Sequence, residues 1–125
     1  MKTPKTTKIR VLEDDVEKAW EKAMKKRLEP LGWLFFRNAQ GGRTFKAGLG
    51  TGSADWVGLD PHGRFAAVEL KSPTGTQSDE QIAWGDKVWK RLGIYQIVND
   101  VNVDVYVDAL IRKSEALAAG QGVTW

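Results

Sequence analysis

The run Phe65-Ala66-Ala67-Val68-Glu69-Leu70-Lys71 constrains this chain most. It begins as a buried strand, and strand side chains alternate between faces. Ala66, Val68 and Leu70 then share one face, which is core throughout. Phe65, Ala67, Glu69 and Lys71 share the other, which turns polar at its end. An acid and a base stand where an apolar run would be expected to continue. The plain explanation is a same-face salt bridge at an exposed strand end, since such pairs are common and weak. The surrounding sequence has to decide whether the pair does more.

The chain has 125 residues, which suits one domain around one core. Residues 1–10 form a basic arm, and residues 11–125 the domain. From Glu13 to Leu31 the apolar residues Val16, Trp20, Ala23, Met24, Leu28 and Leu31 recur at helical spacing. Acids crowd the first turns and bases the later ones, as a helix dipole prefers, and Pro30 and Gly32 mark its end. "WLFFRN" reads as a strand. Asp55–Leu59 and Arg64–Lys71 form a hairpin closed by the turn "DPHG". Ser78–Leu92 is a second helix and "IYQIV" a buried strand. Asp104–Lys113 reads as a short helix, although its Val-x-Val alternation also permits a strand. The order α-β-β-β-α-β points to one α/β domain with a mixed central sheet flanked by helices.

Several chemistries are excluded. Cysteine is absent and histidine occurs once, as His62 in the turn. Thiolate catalysis, Cys-based zinc sites and Ser-His chemistry are therefore not expected. A bound metal would need oxygen ligands, which points to Mg²⁺ or Mn²⁺. No apolar run approaches the ~18 residues of a membrane span, and no signal peptide is expected. A cytoplasmic setting fits. The net charge of +3 is modest, but the bases cluster. Lys2, Lys5, Lys8 and Arg10 line the arm, and Lys22, Lys25, Lys26 and Arg27 sit on the first helix. Such patches suit a polyanion or simply a solvated face.

The chemistry-bearing residues gather around the hairpin. Asp55 lies far from the "DPHG" turn, and so does Glu69, so the two carboxylates meet at one end of the sheet. Acids brought together need a cation or a shared proton. Lys71 follows, then a Pro/Gly loop, then the second helix. On a helical wheel Gln81 shares the inward face with Ile82, Gly85, Val88, Trp89 and Leu92. It also completes a capping box with Ser78, so cap and site are both open to it. "GLGTGS" looks like a phosphate loop, but it lacks the preceding strand, following helix and Lys-Ser/Thr that such loops need. Its glycines serve close backbone approach, to another segment or to a nucleic acid.

"GSAD" with Asp55, followed by "FAAVELK" with Glu69 and Lys71, resembles the PD-(D/E)XK nuclease motif. "SPTGTQSDEQIAW" and "LGIYQIV" narrow the resemblance to the VRR-NUC branch, stand-alone phage or bacterial type. It covers about Glu13 to Leu110. One departure is Ala54, where that branch usually has proline.

The resemblance implies a metal-dependent endonuclease acting on DNA. Asp55 and Glu69, with the Leu70 carbonyl, would hold Mg²⁺ or Mn²⁺. Lys71 would orient the attacking water or offset developing charge. Gln81 would position that water or hold the substrate backbone. A helical acid is also implied. Glu17 fits the family spacing better, and Glu13, nearer the middle of the apolar face, is the alternate. Stand-alone members act as homodimers on branched DNA such as four-way junctions, in a bacterial or phage-infected cell; Trp84 and Trp125 are candidates for such an interface. Two other readings compete: a non-catalytic nucleic-acid-binding module, and a structural domain with a surface ion pair.

Overall fold

The computed structural model describes residues 10–38 and 49–120. Its sheet is mixed, in the order β1-β2-β3-β4. Strands β1 (Leu34–Arg37), β2 (Trp56–Leu59) and β3 (Phe65–Leu70) are antiparallel neighbours, and β4 (Ile94–Val98) runs parallel to β3. Helices α1 (Glu13–Ala23), α2 (Asp79–Lys90) and α3 (Asp104–Ala118) surround the sheet.

The expected order lacked α3. The segment from Val103 is a helix because Val103, Val107, Leu110, Ser114 and Leu117 fall at helical spacing and are all buried. Val105, which a strand would place beside them, is exposed.

The first helix also departs from one regular element. It continues past Ala23 as a π-helical stretch, Met24–Leu28, and a 3₁₀ turn, Glu29–Leu31. The sequence explains this. Val16, Trp20, Met24 and Leu28 repeat every four residues, and on a regular helix each such step drifts by about 40°. The wider π turns take up that drift and keep Met24 and Leu28 in the core.

The core lies between the sheet and the layer of α1 and α3. Trp20 stands edge-on to Phe35 at 5.3 Å and to Trp56 at 6.4 Å. Ala66, Val68 and Leu70 complete that face of β3. The hairpin turn is tied to the same layer. The buried Asp60 accepts the N–H groups of His62 at 2.9 Å and Arg64 at 2.7 Å, and the Ser114 hydroxyl at 2.6 Å. Arg64 in turn donates to the Leu117 carbonyl at 3.0 Å.

Helix α2 covers the opposite face. Gly85 allows the close packing, since a Cβ there would lie 2.7 Å from the Tyr95 ring. The α2 C-terminus is closed by N–H bonds from Leu92 to Trp89 and from Gly93 to Val88, both 3.0 Å. Leu92 takes the left-handed position usual for glycine, at φ 61°. No helix among the described residues is long and apolar enough to cross a membrane.

Candidate active site

The hairpin register pairs Trp56 with Val68 and Val57 with Ala67. One further step of that register sets Asp55 beside Glu69, both beyond the far end from the turn. Asp55 is fixed there by its own carboxylate, whose Oδ2 accepts the Leu70 N–H at 2.7 Å. Its carbonyl accepts the Asn38 N–H at 2.7 Å, and the Asn38 side chain grips Ser53 Oγ at 3.0 Å and the Ala54 carbonyl at 2.8 Å. Ala54 itself is fully buried.

Glu69 is 1% exposed, which separates it from a solvated ion pair at a strand end. A buried carboxylate is costly unless it is bonded. Gln81 supplies one bond, donating from Nε2 to Glu69 Oε2 at 3.1 Å. The same amide caps α2, with Oε1 accepting the Ser78 N–H at 2.9 Å, while the Gln81 N–H donates to Ser78 Oγ at 3.2 Å. The cap and the site are thus one device: capping the helix orients the amide toward the acid. Both ends of the Gln81 amide are thus engaged, the nitrogen by Glu69 and the oxygen by the Ser78 N–H.

The glycines before Asp55 find their use here. Gly52, at φ +84°, lies so close to α2 that a Cβ would sit 2.4 Å from the Glu80 carbonyl carbon. The close approach is to a segment of this chain, the first turn of α2.

One further residue lies near the carboxylates. Tyr95 lies opposite Ala67 across the β3–β4 pair, and its hydroxyl accepts from Gln77 Nε2 at 2.8 Å. Burial, then the charges of Glu69 and Asp55, push its pKa above the usual tyrosine value, while the Gln77 bond opposes them. Tyr95 therefore stays protonated at neutral pH beside the acids. Period-two alternation in "IYQIV" was the available signal, because it places Tyr95 on the Glu69 face.

The two helical acids have different surroundings. Glu17 Oε1 meets the Arg37 guanidinium at 3.1 Å. Glu13 instead feels the acids and base of the site. Partial desolvation of its carboxyl raises its pKa above the usual 4.5, Asp55 raises it further, and Lys71 pulls it down, with smaller upward pushes from Asp14 and Glu17. Glu13 holds a proton more tightly folded than unfolded, so stability falls as pH rises from about 4.5 through its folded pKa. Glu13→Gln should abolish that fall. The variant should melt higher than wild type at neutral pH, with the gain vanishing below about pH 4, where the wild-type acid is protonated in both states. Thermal melts across this range check it.

Among the described residues, no group of three or more His, Cys, Asp or Glu is placed to hold a metal ion. That geometry lacks an all-protein cage of the calcium kind. It still fits Mg²⁺, which is commonly held through one or two carboxylates, with waters and substrate phosphates completing the shell. Asp55 and Glu69 are such a hard-oxygen pair. No family model matches the chain, and no curated protein matches it.

The basic patches divide. Lys2, Lys5 and Lys8 lie outside the described residues, as does Trp125, and Arg10 is exposed. Arg27 binds Asp104 at 3.0 Å and Asp108 at 2.5 Å, pinning the first helix to α3. Lys22, Lys25 and Lys26 are exposed. Trp84 packs within the chain. Its indole N–H donates to the Leu49 carbonyl at 3.0 Å, and its ring meets Phe65 and Tyr95.

Proposed function

We propose that this chain is a metal-dependent endonuclease of the PD-(D/E)XK type that hydrolyses DNA phosphodiester bonds, acting on branched DNA such as four-way junctions. The observation that carries the reading is the buried Glu69 at the end of β3, held by Gln81, with Asp55 fixed to the next backbone N–H. Burying an acid at a strand end is costly for stability, which supports a functional reason for its presence. Asp55, Glu69 and the Leu70 carbonyl would hold Mg²⁺ or Mn²⁺. An ion bound there lowers the pKa of water and offsets charge on the phosphate.

The chain's own residues supply the rest. Lys71 brings a positive charge to the same strand end, where it can stabilise charge developing on the phosphate. Gln81 fixes the orientation of Glu69. For the helical acid, the influence of Asp55 and Lys71 on the Glu13 carboxyl supports Glu13, and the ion pair of Glu17 with Arg37 argues against Glu17. A reaction on DNA would place the protein in the cytoplasm of a bacterial or phage-infected cell.

The test is incubation with plasmid and junction DNA in Mg²⁺, Mn²⁺ or EDTA. Cutting is expected only with metal, and cutting in EDTA would refute the reading. Binding without cutting under every condition would favour a nucleic-acid-binding module instead. Glu13→Gln should lose cleavage by about 10²-fold or more, while Glu17→Gln should cut at close to the wild-type rate.

A two-fold homodimer suits a substrate with two equivalent scissile strands. Leu34 and Phe36, exposed on the edge strand β1, offer apolar surface for it. Light scattering should give a dimer mass, and a monomer at high concentration would refute this part.

A further inference from the structure

A cavity of about 460 Å³ opens beside α2 at the opposite end of β3 from Glu69. Phe65 and Trp84 line it, with ring centroids 6.2 Å apart in an edge-on arrangement. Its charged lining among the described residues is entirely basic: Arg64, Lys87 and Arg91. A cleft walled by one sign of charge concentrates ligands of the other. Its volume falls in the range of small-ligand sites, about 300–1,000 Å³.

We propose that this cavity takes one nucleotide of the substrate strand, with the base laid on Phe65 and Trp84 and the phosphate held by Lys87 and Arg91. An aromatic surface beside bases is what an unpaired nucleotide requires, since every base has a face to stack and every phosphate a charge to offset. Phe65 is 38% exposed, so its ring is available without unfolding anything. The C-terminal end of a helix ordinarily repels anions. Here three of the last α2 carbonyls, those of Lys87, Val88 and Trp89, are already taken. Arg91 donates to Lys87 O at 3.0 Å, and Leu92 and Gly93 cover Trp89 and Val88.

The position also suits a strand. At ~3.3 Å per residue, Phe65 lies ~13 Å along β3 from Glu69. A nucleotide held there would steady the strand a short distance from the bond to be cut. The assignment of the strand as substrate rests on the nuclease reading; the pocket's preference for a nucleotide does not.

The experiment is a titration of a fluorescein-labelled oligo-dT strand in EDTA, read by anisotropy, beside an abasic strand of equal length. Phe65→Ala should weaken binding of the dT strand by about five- to 150-fold and leave the abasic strand unchanged, because only the former has bases to stack. Lys87→Gln, an exposed and structurally mild change, should weaken both strands and lower the salt slope by about 0.7. Equal affinities of Phe65→Ala and wild type for dT would overturn the proposal. So would an equal loss on both strands. A titration with free dTMP separates the sources: binding as tight as the strand would mark a mononucleotide site and overturn the strand assignment. Because EDTA removes cleavage from the measurement, the two readings fail separately. A chain that binds as expected but never cuts refutes the nuclease alone. One that cuts with metal but shows no Phe65 effect refutes the pocket alone.

Discussion

Glu69→Gln and Asp55→Ala are expected to abolish cleavage and weaken Mn²⁺ binding together, whereas Lys71→Ala abolishes cleavage and leaves Mn²⁺ binding largely intact. The split follows from chemistry. Carboxylates are ligands for a hard cation, and an ammonium is not. In the proposed role Lys71 would act on charge that develops only in the transition state, so its loss would fall on rate, on the order of 10³-fold. Glutamine is the better replacement at position 69, because alanine would empty a buried site. It keeps an oxygen to accept from Gln81, at present 3.1 Å from Glu69 Oε2. Calorimetry with Mn²⁺ and a cleavage assay on the three variants decide the matter, with folding checked by circular dichroism. Equal loss of Mn²⁺ binding in all three would remove the role assigned to Lys71. Normal cutting by Glu69→Gln would remove the site.

Much of this site was legible because it rests on a short-range rule. Alternation along β3 and the turn at Asp60–Gly63 are enough to bring Asp55 and Glu69 to one end, and the observed register does so. Gln81 was legible for the same reason, through the capping box that its position completes. What was not legible depends on partners distant in sequence. The ion pair between Glu17 and Arg37 of β1 bears on the choice between Glu13 and Glu17; no wheel drawn on the helix contains that residue. Asp60 read as a turn former, yet its second oxygen binds Ser114, 54 residues away. The third helix was ambiguous because alternate valines satisfy both periods over a short window. Only the later Leu110, Ser114 and Leu117, buried with Val103 and Val107, settle the period. The α1 distortion left a trace in the four-residue repeat, but a repeat alone does not say whether a helix drifts or widens.

Gly52→Ala should be among the most damaging single substitutions outside the core, and its effect should reach the site. The residue sits at φ +84°, where an L side chain costs roughly 1–2 kcal/mol. The added Cβ would also lie 2.4 Å from both the carbonyl carbon and oxygen of Glu80 and 2.8 Å from the Gln81 nitrogen. All of these are backbone atoms, so no side chain can rotate away, and overpacking of this kind costs a further ~1–3 kcal/mol. Either the first turn of α2 must retreat or the Gly52–Asp55 segment must. The first displaces Gln81 from Glu69. The second pulls Asp55 from the Leu70 N–H. A phosphate-binding glycine would behave otherwise, because its substitution would weaken ligand binding while sparing the fold. Urea unfolding should therefore show a loss of about 2–5 kcal/mol. Gly50→Ala is the control. It has a similar φ, +86°, but nothing lies within 4 Å of its added Cβ, so it should lose only the backbone share. Equal losses for the two variants would mean that the contact with α2 contributes nothing. A destabilised Gly52→Ala that still cuts at the wild-type rate, measured well below its melting temperature, would mean that the first turn of α2 does not position Glu69.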